Sequence, residues 1–212
     1  MRKSRLVLVI AALAGLNACA GKVRYASYYV LNVPPPPTVA DRPKPILGSV
    51  AVREFTGPEF LREGAIAYRP SPEQLDFYSY HRWAEDPRRV VTAAMAREMQ
   101  ARGLFQSVYV FDGRGSSEYL VTGTIDHLEE VDRGRNVSIE VALSARLINV
   151  RTSEVLWQGA LSKRAKLEQH SLPGIVAEMS NEVSGIVECL VSSMQERVSH
   201  STLSLNRRNT EQ

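Results

Sequence analysis

The side chains that could do chemistry in this chain of 212 residues are few and dispersed. Its four histidines, His81, His127, His170 and His200, lie far apart, and none has a second ligand at the short spacing a metal site needs. There is no Gly-x-Ser-x-Gly nucleophile elbow, no phosphate loop and no dinucleotide-binding glycine pattern, and Gly113-x-Gly115 is too sparse to cradle a phosphate. Glu129 and Glu130 adjoin a hairpin-like turn, where two carboxylates read as a solvated face rather than an acid–base pair. The residues predict no catalytic site, no metal and no enzyme, and they require no cofactor.

Cys19 offers a different chemistry. Residues 1–19 begin with Arg2, Lys3 and Arg5, continue through an apolar stretch of eleven residues to Leu16, and end in Leu16-Asn17-Ala18-Cys19. A cationic start, a short apolar run and a small-residue exit describe a secretory signal peptide over residues 1–18. As a helix the apolar stretch would span only about 16 Å, against a hydrocarbon core of about 30 Å, too short for a transmembrane anchor. Its end resembles the lipobox of bacterial lipoproteins, in which the Cys thiol takes a diacylglycerol thioether and the freed amine a further acyl chain such as palmitate. At about 0.8 kcal/mol per buried methylene, two or three chains make a permanent anchor. Ala20, in place of Asp, resembles a passenger released to the outer membrane, so its periplasmic face is the expected location. Residues 19–24 form the lipidated Cys and its tether. The five residues after Cys19 reach at most ~17 Å, which keeps the folded body close to its membrane.

The remaining composition narrows the class. Net charge is +3 over the whole chain, but removal of residues 1–18 leaves 23 Lys and Arg against 23 Asp and Glu. A neutral mature chain lacks the cationic excess that phosphate neutralisation requires, which excludes a nucleic-acid partner. Cys189 is the only other cysteine, and an acylated Cys19 cannot oxidise, so no intramolecular disulfide is expected. Cys189 itself is expected to be a small core residue.

One segment looks unlike scaffold. Tyr68, Phe77, Tyr78, Tyr80 and Trp83 are five of fifteen aromatics, placed within sixteen residues together with Arg69, His81 and Arg82. Aromatic residues and Arg are enriched at the buried centres of interfaces, so these eight residues are the candidate partner-binding set, with packing beneath the following helix as the competing use.

The elements that must position them follow from periodicity. Aromatic and β-branched residues predict strands over 25–33 and 46–54, with the proline run 34–37 ending the first. Shorter strands are predicted over 65–69 and 74–80. Asp86-Pro87 opens a helix whose Val91, Met95 and Met99 form a core stripe and which Gly103 stops. A strand over 104–112 precedes long strands over 118–131, 136–150 and 155–167, an antiparallel meander. Val176, Met179, Val183, Ile186, Val187, Leu190, Met194 and Val198 predict an amphipathic helix to about residue 200, and the polar residues 201–212 a disordered tail. The expected fold is α+β: a two-layer sandwich, with two long helices on one face of a mostly antiparallel sheet.

Tyr28-Tyr29-Val30-Leu31, Tyr68-Arg69, Phe77-Tyr78, Tyr80-His81-Arg82-Trp83-Ala84, Pro87 and the helix closing in Gly103-Leu104-Phe105 resemble the ABC-type transport auxiliary lipoproteins, the group containing paraquat-inducible protein C. The likeness spans roughly residues 19–200, with the folded domain over residues 25–200. It implies a non-catalytic outer-membrane lipoprotein that docks an MCE-domain (mammalian cell entry) protein. Through that protein it would work indirectly with an ABC permease and ATPase, in moving phospholipids or other hydrophobic molecules between the inner and outer membranes. Of the family's functional residues, only Cys19 carries over. A homo-oligomer is compatible with this reading but not required by it. The alternative is a structural or assembly lipoprotein of another envelope complex with no part in lipid transport.

Overall fold

The computed structural model describes residues 24–37, 45–134, 136–167 and 171–210; the leader, Cys19 and His170 lie outside them. Among the described residues eight strands form one sheet with three helices: β1 (Ser27–Tyr29), β2 (Leu47–Val52), α1 (Glu59–Arg62), β3 (Ala65–Ser71), β4 (Gln74–Trp83), α2 (Pro87–Arg102), β5 (Phe105–Val110), β6 (Tyr119–Arg133), β7 (Asn136–Asn149), β8 (Val155–Lys166) and α3 (Leu172–Thr210). The α+β sandwich expected from the sequence is what forms. The short α1 has too few residues to show a period, and α3 runs to Thr210, past the end near residue 200 that the fading apolar period suggests. Among the described residues no helix is long and apolar enough to cross a membrane.

The sheet is forked about β6. One edge of β6 pairs antiparallel with β7 along its whole length, and β7 pairs antiparallel with β8. The other edge is shared: β2 runs parallel to its start at Val50↔Tyr119, and β3 runs parallel to its end at Tyr68↔Glu130. Beyond β2 lies β5, parallel; beyond β3 lie antiparallel β4 and then parallel β1. The antiparallel ladders are the longest, while the parallel pairings are the long-range ones. Between the two prongs Thr56 bridges to Thr124, and there the Phe55 ring lies against Gly123 so closely that a Cβ would come within 2.3 Å of it.

Both long helices lie on one face. In α2, the Asp86 carboxylate accepts from the backbone N–H of Arg88 at 3.0 Å, Pro87 occupies the first helical position, and Gly103 ends the helix at φ 67°. The Arg88 guanidinium forks onto the same carboxylate at 2.6 and 3.0 Å. Burial alone would raise the pKa of Asp86, but those hydrogen bonds and the charge of Arg88 hold it below the ordinary carboxylate value. Val91, Met95 and Met99 are buried, as their spacing requires, and with Met179, Val183, Ile186 and Met194 of α3 they cover Val121, Ile125, Ile139, Val141, Leu143 and Leu147 of β6 and β7. Each such side chain contributes about 1.5–3 kcal/mol by leaving water.

Cys189 departs from expectation: it is exposed. Helical rotation sends Ile186, Val187 and Leu190 into the core and leaves position 189 on the flank.

Candidate functional site: an aromatic sheet edge

β3 and β4 form a hairpin with a large irregularity. Ala65 pairs with Arg82 and Ala67 with Phe77, so β4 advances five positions while β3 advances two. The extra residues bulge and redirect side chains, which is what bulges at functional edges do. Against the outer side of β4, β1 pairs in the register Ser27↔His81, Tyr28↔Arg82, Tyr29↔Trp83.

The structure divides the eight candidate residues. Trp83, 4% exposed, belongs to the core and has no ring surface to offer a partner, which corrects its place in the set. Tyr29, His81, Tyr78 and Tyr68 make a continuous run of rings, with centroids 5.5, 5.9 and 5.0 Å apart. Such pairs add about 0.5–1.5 kcal/mol each beyond area burial. His81 is held by this run, its Nδ1 lying 3.0 Å from the Tyr29 hydroxyl. Tyr78 donates its O–H to Glu130 Oε2 at 2.6 Å. Burial first, and then this carboxylate, push the Tyr78 pKa well above the ordinary phenol value, so it stays a neutral donor. Arg69 forks onto Glu129 at 2.7 and 3.0 Å and donates to the Pro72 carbonyl at 3.2 Å. These half-buried groups clamp the hairpin to β6.

What remains outward is a band on one edge. Tyr25 (83% exposed), Tyr28 (68%), Tyr80 (45%) and Phe77 (39%) are the exposed aromatics among the described residues, and all lie on or beside β1 and β4. Val30 joins them, while the other exposed large apolar residues, Ile46, Val110, Val150 and Val155, are aliphatic and lie elsewhere. The Arg24 guanidinium sits 5.6 Å from the Tyr80 ring centroid, and Phe60 backs Phe77 at 5.5 Å. Half-buried Arg82 pairs beside Tyr28.

Glu129 and Glu130 correct the sequence reading outright: both are almost fully buried. A bulge between Ile125 and His127 inserts Asp126 and shifts the alternation, turning Leu128 and Glu130 to the face that Val141 and Ile139 share. Glu129 faces the other way but lies beneath Arg69, with His127 Nδ1 3.3 Å from its Oε1. Their apolar flanks, Leu128 and Val131, are the only local hint. In the sequence Tyr25 and Tyr28 belong to a strand-like run, and Tyr28 to the family-like opening, but neither is marked as a binding residue; only the β1–β4 pairing makes them part of an edge surface. No group of three or more His, Cys, Asp or Glu that could hold a metal occurs among the described residues. The Arg69–Glu129 and Tyr78–Glu130 contacts act as clamps between the hairpin and β6.

A model of the family described as ABC-type transport auxiliary lipoprotein component matches residues 29–190. A crystal structure of a protein from Xanthomonas campestris superposes with a TM-score of 0.70 at 16% identity, covering 84% of this chain and 99% of that one. The crystal structure of an uncharacterized protein gives 0.61 at 12% identity, over 80% of this chain and 99% of that one. A PelC dodecamer from Paraburkholderia phytofirmans gives 0.48 at 14% identity, over 74% of this chain and 94% of that one. A search of curated proteins found no match. At these identities the first two structures speak for the fold, and the match over residues 29–190 speaks for the family: the chain belongs to the ABC-type transport auxiliary lipoprotein component family.

Proposed function

We propose that this lipoprotein is a non-catalytic docking component, fastened by acyl chains on Cys19 to the periplasmic face of the outer membrane. There it receives an MCE-domain partner, whose ABC permease and ATPase drive phospholipids or other hydrophobic molecules between the inner and outer membranes. The observation that carries the reading is the concentration of exposed aromatics, Tyr25, Tyr28, Phe77 and Tyr80, on the β1–β4 edge. Large rigid rings lose little conformational entropy on binding and dominate interface energetics. The edge is also the part of the fold nearest the anchor along the chain: eight residues from Cys19 to Ser27 reach at most ~27 Å. A partner seated on it would be held close to the bilayer, at the end of its path across the periplasm.

The test is co-purification of the full chain with an MCE-domain protein encoded beside it, repeated with Tyr80→Ala and Phe77→Ala. Both side chains are partly exposed, so unfolding free energies should stay within about 1.5 kcal/mol of the parent even where the Phe60–Phe77 ring contact is lost, while partner recovery falls at least about tenfold. Undiminished recovery in both variants would remove the aromatic edge as the docking surface.

A further inference from the structure

The face of the sheet away from the helices holds a trough of about 600 Å³ across β6, β7 and β8 and the chain after β2. Alternation builds it. Val121, Ile125, Leu143, Leu147 and Trp157 point into the core, so Thr122, Thr124, Ser144, Arg146 and Gln158 point out. Cross-strand registry then aligns them in rows. Thr56, Thr124, Ser144 and Ala160 form one row of short side chains, and Thr122, Arg146 and Gln158 form the next. The first row is the floor, since nothing longer than threonine stands in it, and three of its four members carry hydroxyls. Thr56 and Thr124 are already linked, Oγ1 to Oγ1 at 3.0 Å.

Its charge is unbalanced. Toward the far end of β6 the guanidiniums are matched: Arg164 meets Glu140 at 2.5 Å and Arg69 meets Glu129 at 2.7 Å. In the trough, Arg146 spends only its Nε, donating to Thr122 Oγ1 at 3.0 Å, which fixes the direction of the remaining fork. Arg53 lies over the Phe111 ring at 5.6 Å. Neither guanidinium has a carboxylate within ion-pair distance among the described residues, and the one carboxylate lining the trough, Glu54, is turned to Arg89 at 3.5 Å. Two guanidiniums beside a floor of hydroxyls suit an oxyanion with several acceptor oxygens: guanidinium forks bind phosphate bidentately, and hydroxyls complete the shell.

We infer that this trough, formed where Arg53 and Arg146 flank the Thr56–Thr124–Ser144 row, binds the phosphate of a phosphate ester, either a phospholipid headgroup or a soluble ester. It shares no residue with the aromatic edge and stands or falls apart from docking.

The test is isothermal titration of the full chain, in a non-ionic detergent, with inorganic phosphate, glycerol 3-phosphate and short-chain phosphatidylglycerol as separate probes. Saturable binding of at least one is expected, weakened about tenfold or more in Arg146→Ala and in Arg53→Ala, and unchanged in Arg133→Ala, an exposed control at the distant β6–β7 turn. Thr122→Val, which frees Arg146 from its tether, should weaken binding less than loss of the guanidinium. Binding by the lipid alone assigns the site to headgroups, and comparable binding of the soluble probes assigns it to the phosphate itself. Absence of saturable binding by all three, or equal affinity in the parent and the Arg53→Ala/Arg146→Ala double variant, overturns the inference.

Discussion

The meander of β6, β7 and β8 and the arm of β1, β3 and β4 share one sheet but are secured by different means. The meander keeps its register over two long ladders with one irregularity in each, between Ile125 and His127 and between Leu147 and Ile148, and an apolar row from Ile139 to Leu147 lies under α3. The arm breaks register twice between β3 and β4, and its β1 contributes three residues. It buries Ile66 and Trp83 in the core, and to these it adds directional attachments to β6: the Arg69 fork on Glu129 and the Tyr78 hydroxyl on Glu130. Apolar packing over a regular ladder makes a rigid base, whereas a few polar clamps make a surface that can be shaped for recognition and open on its own. The two regions should therefore respond differently to single substitutions.

The largest effect belongs to the base. Leu143→Ala empties a fully buried position in the middle of β7 and should cost about 2–5 kcal/mol, read as a lower denaturant midpoint for the whole chain. If that variant lost protection only within β7 while the arm kept its stability, the base would not be the unit on which the arm depends. Glu129→Ala should cost less, about 1–3 kcal/mol, because it leaves the Arg69 fork unpaired while Arg69 keeps some access to water. Its signature is location: amide exchange should accelerate in β3 and β4, with β7 and β8 unaffected. Uniform acceleration across the sheet would erase the distinction between base and arm.

The smallest effect sharpens the boundary between them, at the start of α2. Asp86→Ala should cost about 1 kcal/mol through the lost cap. The pH dependence carries a definite sign. The carboxyl of Asp86 titrates lower in the folded chain than in the unfolded one, so its contribution is complete above the unfolded value near pH 4. It fades as pH falls through the folded value, and the parent should lose its advantage over the variant below about pH 4. A difference unchanged between pH 7 and pH 3 would mean that the ionised cap contributes nothing.

The base is largely legible in the amino-acid order: the alternation of Val137 to Leu147, the Val91–Met95–Met99 stripe and the Asp86-Pro87 start all form as their patterns dictate. The candidate site is legible only as a composition. Nothing in the order of Tyr68 to Trp83 distinguishes the core ring of Trp83 from the exposed ring of Phe77, which has the same parity, because an irregular hairpin does not keep the two-residue period. Glu129 and Glu130 escape a pattern-based reading for a related reason. One inserted residue, Asp126, changes which face each carboxylate meets, and a neighbour sixty positions away supplies the partner.

What the sequence determined by itself is whatever depends on neighbours within a turn or a strand: periodicity, capping, and the resemblance of its motifs to one family. What only the tertiary structure decided is whatever depends on partners distant in the chain. These are the parallel seating of β1 against β4, the burial of two glutamates, and the rows that bring Arg53 and Arg146 to one trough. The physical reason is that burial and charge pairing are set by spatial neighbours, and in a forked sheet with parallel pairings those neighbours come from remote parts of the chain.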